Sequence, residues 1–248
     1  LINSIFVKGA NTAIFDSIIG EYSHNPLRPW RSLIQKLYFR LSQHRITATL
    51  IAKYVIEVSP PIKDAKNKLI LGGNTKIRLI DRTTRKVYVI LKNGFDKKYL
   101  EREIYVRNNF SYLPIPKIHL YGNNGYWYCE DYVAGVSPDR IRRGKGKDIL
   151  LKAVQQVHMI LNKTKRKESL IGYVECLQKR INKNIAQIYH LDSKARKKIA
   201  DLALSLSTYL KNYSDYVITT AQGHGDFQEG NIIYDGEKTW ILDWEYSG

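Results

Sequence analysis

The segment His224-Gly225-Asp226-Phe227-Gln228-Glu229-Gly230-Asn231, with Asp243-Trp244-Glu245 after it, holds the residues best suited to chemistry. A carboxylate, an amide five residues on and a second carboxylate twelve beyond that suit phosphoryl transfer. An attacking hydroxyl needs a carboxylate to take its proton, which fits Asp226. Nucleotide phosphates need Mg²⁺, a hard cation that takes oxygen ligands, which fits Asn231 and Asp243.

These groups must be brought together. Asn231–Tyr234 and Thr239–Leu242 are short apolar runs of strand type, and Asp235-Gly236 between them is a hairpin-turn signal. The expected hairpin sets Asn231 at the start of one strand near Asp243 at the end of the other.

The H-G-D-x-x-x-x-N and D-W-E motifs closely resemble those of the aminoglycoside phosphotransferase and choline kinase family, which has a protein-kinase-like fold. The resemblance implies a two-lobed α+β fold, with a small β-rich N-lobe and a mostly helical C-lobe truncated at its C-terminus. It makes Asp226 the catalytic base, Asn231 and Asp243 metal ligands, and His224 a brace for the catalytic loop. Glu245 belongs to the motif. Upstream, Val87–Lys92 alternates and reads as a strand; the resemblance makes Lys92, at its end, the nucleotide lysine. Lys97–Asn109 reads as a helix. Its Glu103, rather than Glu101, is taken as the carboxylate partner of Lys92.

Ile118–Tyr121 and Tyr126–Cys129 read as strands around Gly122-Asn-Asn-Gly125. By resemblance, backbone groups of Glu130, Tyr132 and Val133 in the hinge Glu130–Gly135 would bind the adenine edge. Gly72, Gly73 and Asn74 lie between apolar strands, where glycines allow close approach of N–H groups to phosphates; their place before the lysine strand makes them the phosphate cover. The resemblance spans residues 68–248.

The chain has 248 residues, 44% of them hydrophobic, which fits a globular protein. No apolar run reaches membrane-spanning length. Cys129 and Cys176 are too few for a disulfide framework or a structural zinc site, which fits a reducing, cytoplasmic setting. The start at Leu1 rather than Met and the stop at Gly248 lead to the expectation that both ends are cut, with part of the acceptor site missing. Net charge is +17, unevenly spread: residues 140–200 carry a net +13 and residues 201–248 a net −6. The basic stretch reads as a solvated surface in preference to a nucleic-acid or lipid site.

Three regions are expected: a helical N-terminal extension (1–60), an N-lobe (61–129), and a hinge with an incomplete C-lobe (130–248). In the extension, Trp30, Leu33, Leu37 and Leu41 recur at helical spacing among basic residues. Packing on the protein is favoured for this stripe over a membrane surface. Pro60-Pro61 marks the boundary. Residues 148–212 read as mostly helical, with Ile149, Leu150, Ala153, Val154, Val157 and Leu161 on one face and His158 packed or at the surface.

The expected activity is transfer of the γ-phosphoryl group of ATP (or GTP), with Mg²⁺, to a hydroxyl of a small molecule. By resemblance the acceptor is an aminoglycoside, another amino sugar, or choline or a related amino alcohol. The basic charge would better suit a sugar on an anionic glycolipid. The rival readings are a catalytically inactive kinase-like scaffold and a basic nucleic-acid binder. The latter has charge alone in its favour, with no recognition motif.

Overall fold

The computed structural model describes residues 63–141, 143–187 and 192–248, with Ser4, Ile5 and scattered positions between 30 and 50. Six strands form one antiparallel sheet: β1 (Ser4–Ile5), β2 (Lys68–Gly72), β3 (Lys76–Asp81), β4 (Lys86–Leu91), β5 (Ile118–Tyr121) and β6 (Trp127–Asp131). Their order is β1-β2-β3-β4-β6-β5. Helix α1 (Lys98–Asn109) lies in sequence between β4 and β5. The observed class is α+β, as expected.

Residues directly opposite in antiparallel strands share a face. The register Lys76↔Leu91, Arg78↔Val89 and Ile80↔Val87 therefore puts these six side chains on one side of the sheet. Most of that side is apolar core: Leu69, Ile80, Val87, Val89, Leu91 and Tyr128 cluster with Leu100 of α1. Leu100, Glu103 and Arg107 recur at helical spacing, so α1 turns two charged side chains into the same buried face. Glu101 falls off that face and is exposed.

Three longer helices follow: α2 (Arg143–Lys163), α3 (Leu170–Gln187) and α4 (Ser193–Leu210). On α2, Ile149, Ala153 and Ile160 are buried, whereas Val154 of the expected apolar face and His158 are exposed. Asp192 caps α4 by accepting from the Ala195 N–H at 2.7 Å.

Residues 159–222 form a compact unit of their own, distinct from the unit of residues 1–158 and 223–248. The smaller unit contains an antiparallel pair, β7 (Arg166–Ser169) with β8 (Val217–Thr220); β7 falls inside the stretch 148–212 read as mostly helical, and β8 beyond it. Arg166-Lys167-Glu168-Ser169 has little strand character of its own; pairing with a segment about fifty residues away sets its conformation. The larger unit closes with a hairpin, β9 (Ile232–Tyr234) with β10 (Thr239–Ile241).

The N-terminal extension lies largely outside the described residues, as does Pro60-Pro61. Its described part is not purely helical, since β1 joins the sheet beside β2. Trp30, Leu33, Leu37 and Leu41 are helical but exposed, against the expectation that this stripe packs. Among the described residues, no helix is long and apolar enough to cross a membrane.

Candidate active site

The expected hairpin is present. Thr239↔Tyr234 and Ile241↔Ile232 set its register, and Asp235 holds the turn by accepting from the N–H groups of Glu237 and Lys238 at 2.8 and 2.7 Å. The Leu242 N–H donates to the Asn231 carbonyl at 2.8 Å, so Asn231 is fixed beside the residue preceding Asp243.

Two features aim Asp226 and Asp243. Gly225 has φ +84, and a Cβ there would collide with the Tyr246 carbonyl; only glycine lets the catalytic loop lie this close to the D-W-E segment. Asp243 itself has φ +65, a left-handed conformation that costs a non-glycine residue about 1–2 kcal/mol. In that conformation its carboxylate faces a cavity while Trp244 turns fully inward against His224, with ring centroids 4.3 Å apart.

His224 is buried and sits 2.8 Å from the Leu242 carbonyl through Nε2, while the Asp226 N–H donates to Nδ1 at 3.4 Å. It thus bridges the loop carrying Asp226 and the hairpin. Burial pushes its pKa below the ordinary histidine value, only partly offset by the Leu242 carbonyl and nearby carboxylates, so the ring is neutral at pH 7.

The lysine expectation is corrected. Val87, Val89 and Leu91 take the inward positions of β4, so the strand's two-residue period turns Lys92 away from Glu103. Lys92 Nζ instead donates to the Gly73 carbonyl in the β2–β3 turn. Lys76, the first residue of β3, makes the expected ion pair. Its ammonium contacts the Glu103 carboxylate and lies 2.5 Å from Asp243 Oδ1 and 3.2 Å from Glu245 Oε2. Lys76 and Glu103 are 2% and 1% exposed. Burial pushes the Lys76 pKa down, but Glu103, Asp243 and Glu245 together outweigh burial and the repulsion of Arg78 and hold it above the ordinary value. Burial likewise raises Glu103, yet Lys76, Arg107 and Arg78 overcome it and keep the carboxylate ionised.

Glu103 is supported from behind. It accepts from the Tyr128 hydroxyl and lies 3.0 Å from Arg107 Nη1. Arg107 also reaches Glu130 at 2.6 Å and the Pro116 carbonyl at 3.3 Å. The Glu130 side chain is therefore committed to Arg107. One hinge amide is committed too: the Tyr132 N–H donates to the Arg85 carbonyl at 3.0 Å, so it does not face an adenine edge as expected. Glu130, Tyr132 and Val133 do not line the cavity described next.

That cavity, about 190 Å³, is lined by Gly73, Asn74, Thr75, Lys76, Arg78, Asp226, Gln228, Asp243, Glu245 and Tyr246. It gathers the expected Gly73, Asn74, Asp226 and Asp243, whereas Gly72 closes β2 outside it. Asn231 stands behind it, donating through Nδ2 to the Asp226 carbonyl at 2.9 Å and to Asp226 Oδ2 at 3.2 Å. Gln228 donates to the same Oδ2 at 3.0 Å. The Gly73 N–H bonds the Lys76 carbonyl at 2.8 Å, so the glycine turn is tied directly to the lysine. Thr75 donates to Glu245.

Sequence reasoning missed Lys76, Arg78 and Gln228. Lys76-Ile77-Arg78-Leu79 alternates as an ordinary strand with its charges in solvent. The neglected signal was the position of Lys76 directly after the glycine turn.

The donor set suits a divalent cation. Carboxylate oxygens of Glu103, Asp243 and Glu245 lie within 4.8 Å of one another around the Lys76 ammonium; of these Asp243 and Glu245, with Asp226, also face the cavity. Hard oxygens of this kind match Mg²⁺.

No family model matches the chain, and no curated protein matches it in sequence. Solved structures that it is similar to include a choline/ethanolamine kinase family protein from Mesorhizobium loti, at 17% identity and a TM-score of 0.47, covering 87% of this chain and 65% of that one. An ethanolamine kinase from Plasmodium vivax gives 16% identity and a TM-score of 0.43, covering 72% and 55%. A thermostable mutant of aminoglycoside phosphotransferase APH(4)-Ia gives 15% and 0.46, covering 73% and 67%. The chain thus spans less than two thirds of the length of the first two.

Proposed function

We propose that this protein is a phosphotransferase that moves the γ-phosphoryl group of ATP to a hydroxyl of a small molecule. The observation that carries this reading is the convergence of Lys76, paired with buried Glu103, with Asp226 and Asp243 on one cavity beside a glycine turn.

Each residue has a task. Lys76 presents a fixed positive charge to the nucleotide phosphates, and Glu103 holds it there. The turn at Gly73 and Asn74 would close over the phosphates, with the Gly73 N–H itself spent on the Lys76 carbonyl. Asp243 would hold Mg²⁺, together with Asn231, whose Nδ2 is spent on Asp226 and whose amide oxygen is the remaining donor. Bound there, Mg²⁺ supplies charge neutralisation on the phosphates.

Asp226 accepts both side-chain amide bonds on Oδ2, so Oδ1 is the oxygen left for the acceptor hydroxyl. As the hydroxyl oxygen bonds to the γ-phosphorus, the bond to the bridging oxygen of ADP breaks and the hydroxyl proton passes to Asp226. Positioning and charge stabilisation supply most of such catalysis. The carboxylates of Asp226, Asp243 and Glu245 favour a cationic acceptor, an amino sugar or amino alcohol, despite the basic chain as a whole.

The test is ATP consumption by the protein with Mg²⁺, screened against aminoglycosides, amino alcohols and sugars. Acceptor-dependent ADP release, lost in Asp226→Asn, is expected. Mg²⁺-dependent nucleotide binding with no turnover on any acceptor would point instead to a catalytically inactive binding module.

A further inference from the structure

Arg78 has no part in the motif and none in the assignments above, yet it lines the cavity. It lies two residues after Lys76 on the same face of β3, opposite Val89 and beside apolar Ile80, Val87 and Leu91. A guanidinium is costly to place there without a partner. The ion pair that the structure gives it is with Asp243, 3.0 Å from Arg78 Nη2 to Oδ1. Lys76 reaches that same oxygen at 2.5 Å. One carboxylate oxygen thus contacts two cations, whereas Lys76 also has direct ion pairs with Glu103 and Glu245.

We infer that Arg78 is a second polyphosphate-binding residue, held ready by Asp243 and turned to the terminal phosphates of a nucleoside triphosphate when one enters. This rests on the proposed phosphotransferase reading and deepens it. Three observations support it. The Arg78 side chain is 29% exposed, enough to present N–H donors to the cavity. Its planar fork suits bidentate contact with phosphate oxygens, which a lysine cannot make. The charged ends of Lys76 and Arg78 meet at one Asp243 oxygen, at 2.5 and 3.0 Å, so both can reach neighbouring phosphates of one chain. An incoming triphosphate offers Arg78 several anionic oxygens in place of half of one carboxylate oxygen.

The experiment is equilibrium titration of the protein with ATP, ADP, AMP and adenosine, with and without Mg²⁺, for the wild type, Arg78→Met and Arg78→Lys. Methionine fits the apolar layer beside Val89, so the fold is expected to survive, and circular dichroism checks this. The inference predicts an affinity ladder in the wild type, ATP above ADP above AMP. In Arg78→Met, ATP affinity falls about 10- to 100-fold, the range for a lost hydrogen bond to a charged group, while AMP and adenosine change less than about twofold. Arg78→Lys, which keeps charge but not the fork, falls between. ATP affinity unchanged in a folded Arg78→Met, or in Arg78→Lys if the former does not fold, would overturn the role of Arg78 and leave the phosphotransferase reading standing. A wild type that binds no nucleotide would overturn both.

Discussion

Arg107 donates to the Glu130 carboxylate at 2.6 Å, and that bond links the end of the sheet's β6 strand to the helix carrying Glu103. Burial pushes Glu130 above the ordinary carboxylate range, with Arg107 opposing and Glu103 adding to the shift. Glu130 is therefore kept inside by this guanidinium, which Glu103 shares with Lys76. Removing it in Arg107→Met leaves Glu130 uncompensated and is expected to destabilise the protein by about 3–5 kcal/mol in urea denaturation. Adding Glu130→Gln to that variant should recover part of the loss. If the double variant is no more stable than the single one, the two side chains are not coupled as described.

Asp226→Asn keeps the shape of the side chain and removes its basicity. Turnover on the acceptor found by screening should fall about 10²- to 10⁴-fold, the usual contribution of a general base. Nucleotide affinity should hardly change, because Lys76 and the glycine turn remain. Steady-state kinetics and a nucleotide titration on the same preparation separate the two effects.

Asp243→Ala should remove the Mg²⁺ dependence of ATP binding. It also leaves a residue with φ +65 and removes the ion-pair partner of Arg78, so a loss of stability is expected beside it. Metal-dependent affinity persisting in a folded Asp243→Ala protein would exclude Asp243 as the ligand.

His224 gives a pH signature. Its folded pKa is depressed below the ordinary value of 6.5, so the unfolded chain takes up a proton first. Its contribution is full above that value and is lost as pH falls below it, at up to about 1.4 kcal/mol per pH unit until the folded pKa is passed. Denaturation midpoints measured from pH 8 to 5 should show this slope in the wild type and a flatter one in His224→Gln.

Much of the site was legible because its logic is local. Asp226, Asn231 and Asp243 fall within one short segment, and a two-residue period with an Asp-Gly turn forecasts the hairpin that joins them. Lys92 was misread because the strand was read without its parity: with Val87, Val89 and Leu91 inward, a lysine at 92 cannot share their face. Lys76 was hidden for the opposite reason. A charge alternating with Ile77 and Leu79 looks solvated, and only partners far away in sequence, Glu103 and Asp243, draw it inside. The β7–β8 pair was likewise invisible, since its charged first strand is defined by a distant second.

The phosphate-binding charge is expected to come from Lys76 on β3 and not from Lys92, which follows β4. Calorimetric titration of the wild type, Lys76→Met and Lys92→Met with Mg²⁺ and ATP distinguishes the two lysines. Measurable binding by the wild type is expected, with a loss of about 10- to 100-fold in Lys76→Met and a change of less than about twofold in Lys92→Met. Binding that survives in a folded Lys76→Met protein and collapses in Lys92→Met would contradict this assignment.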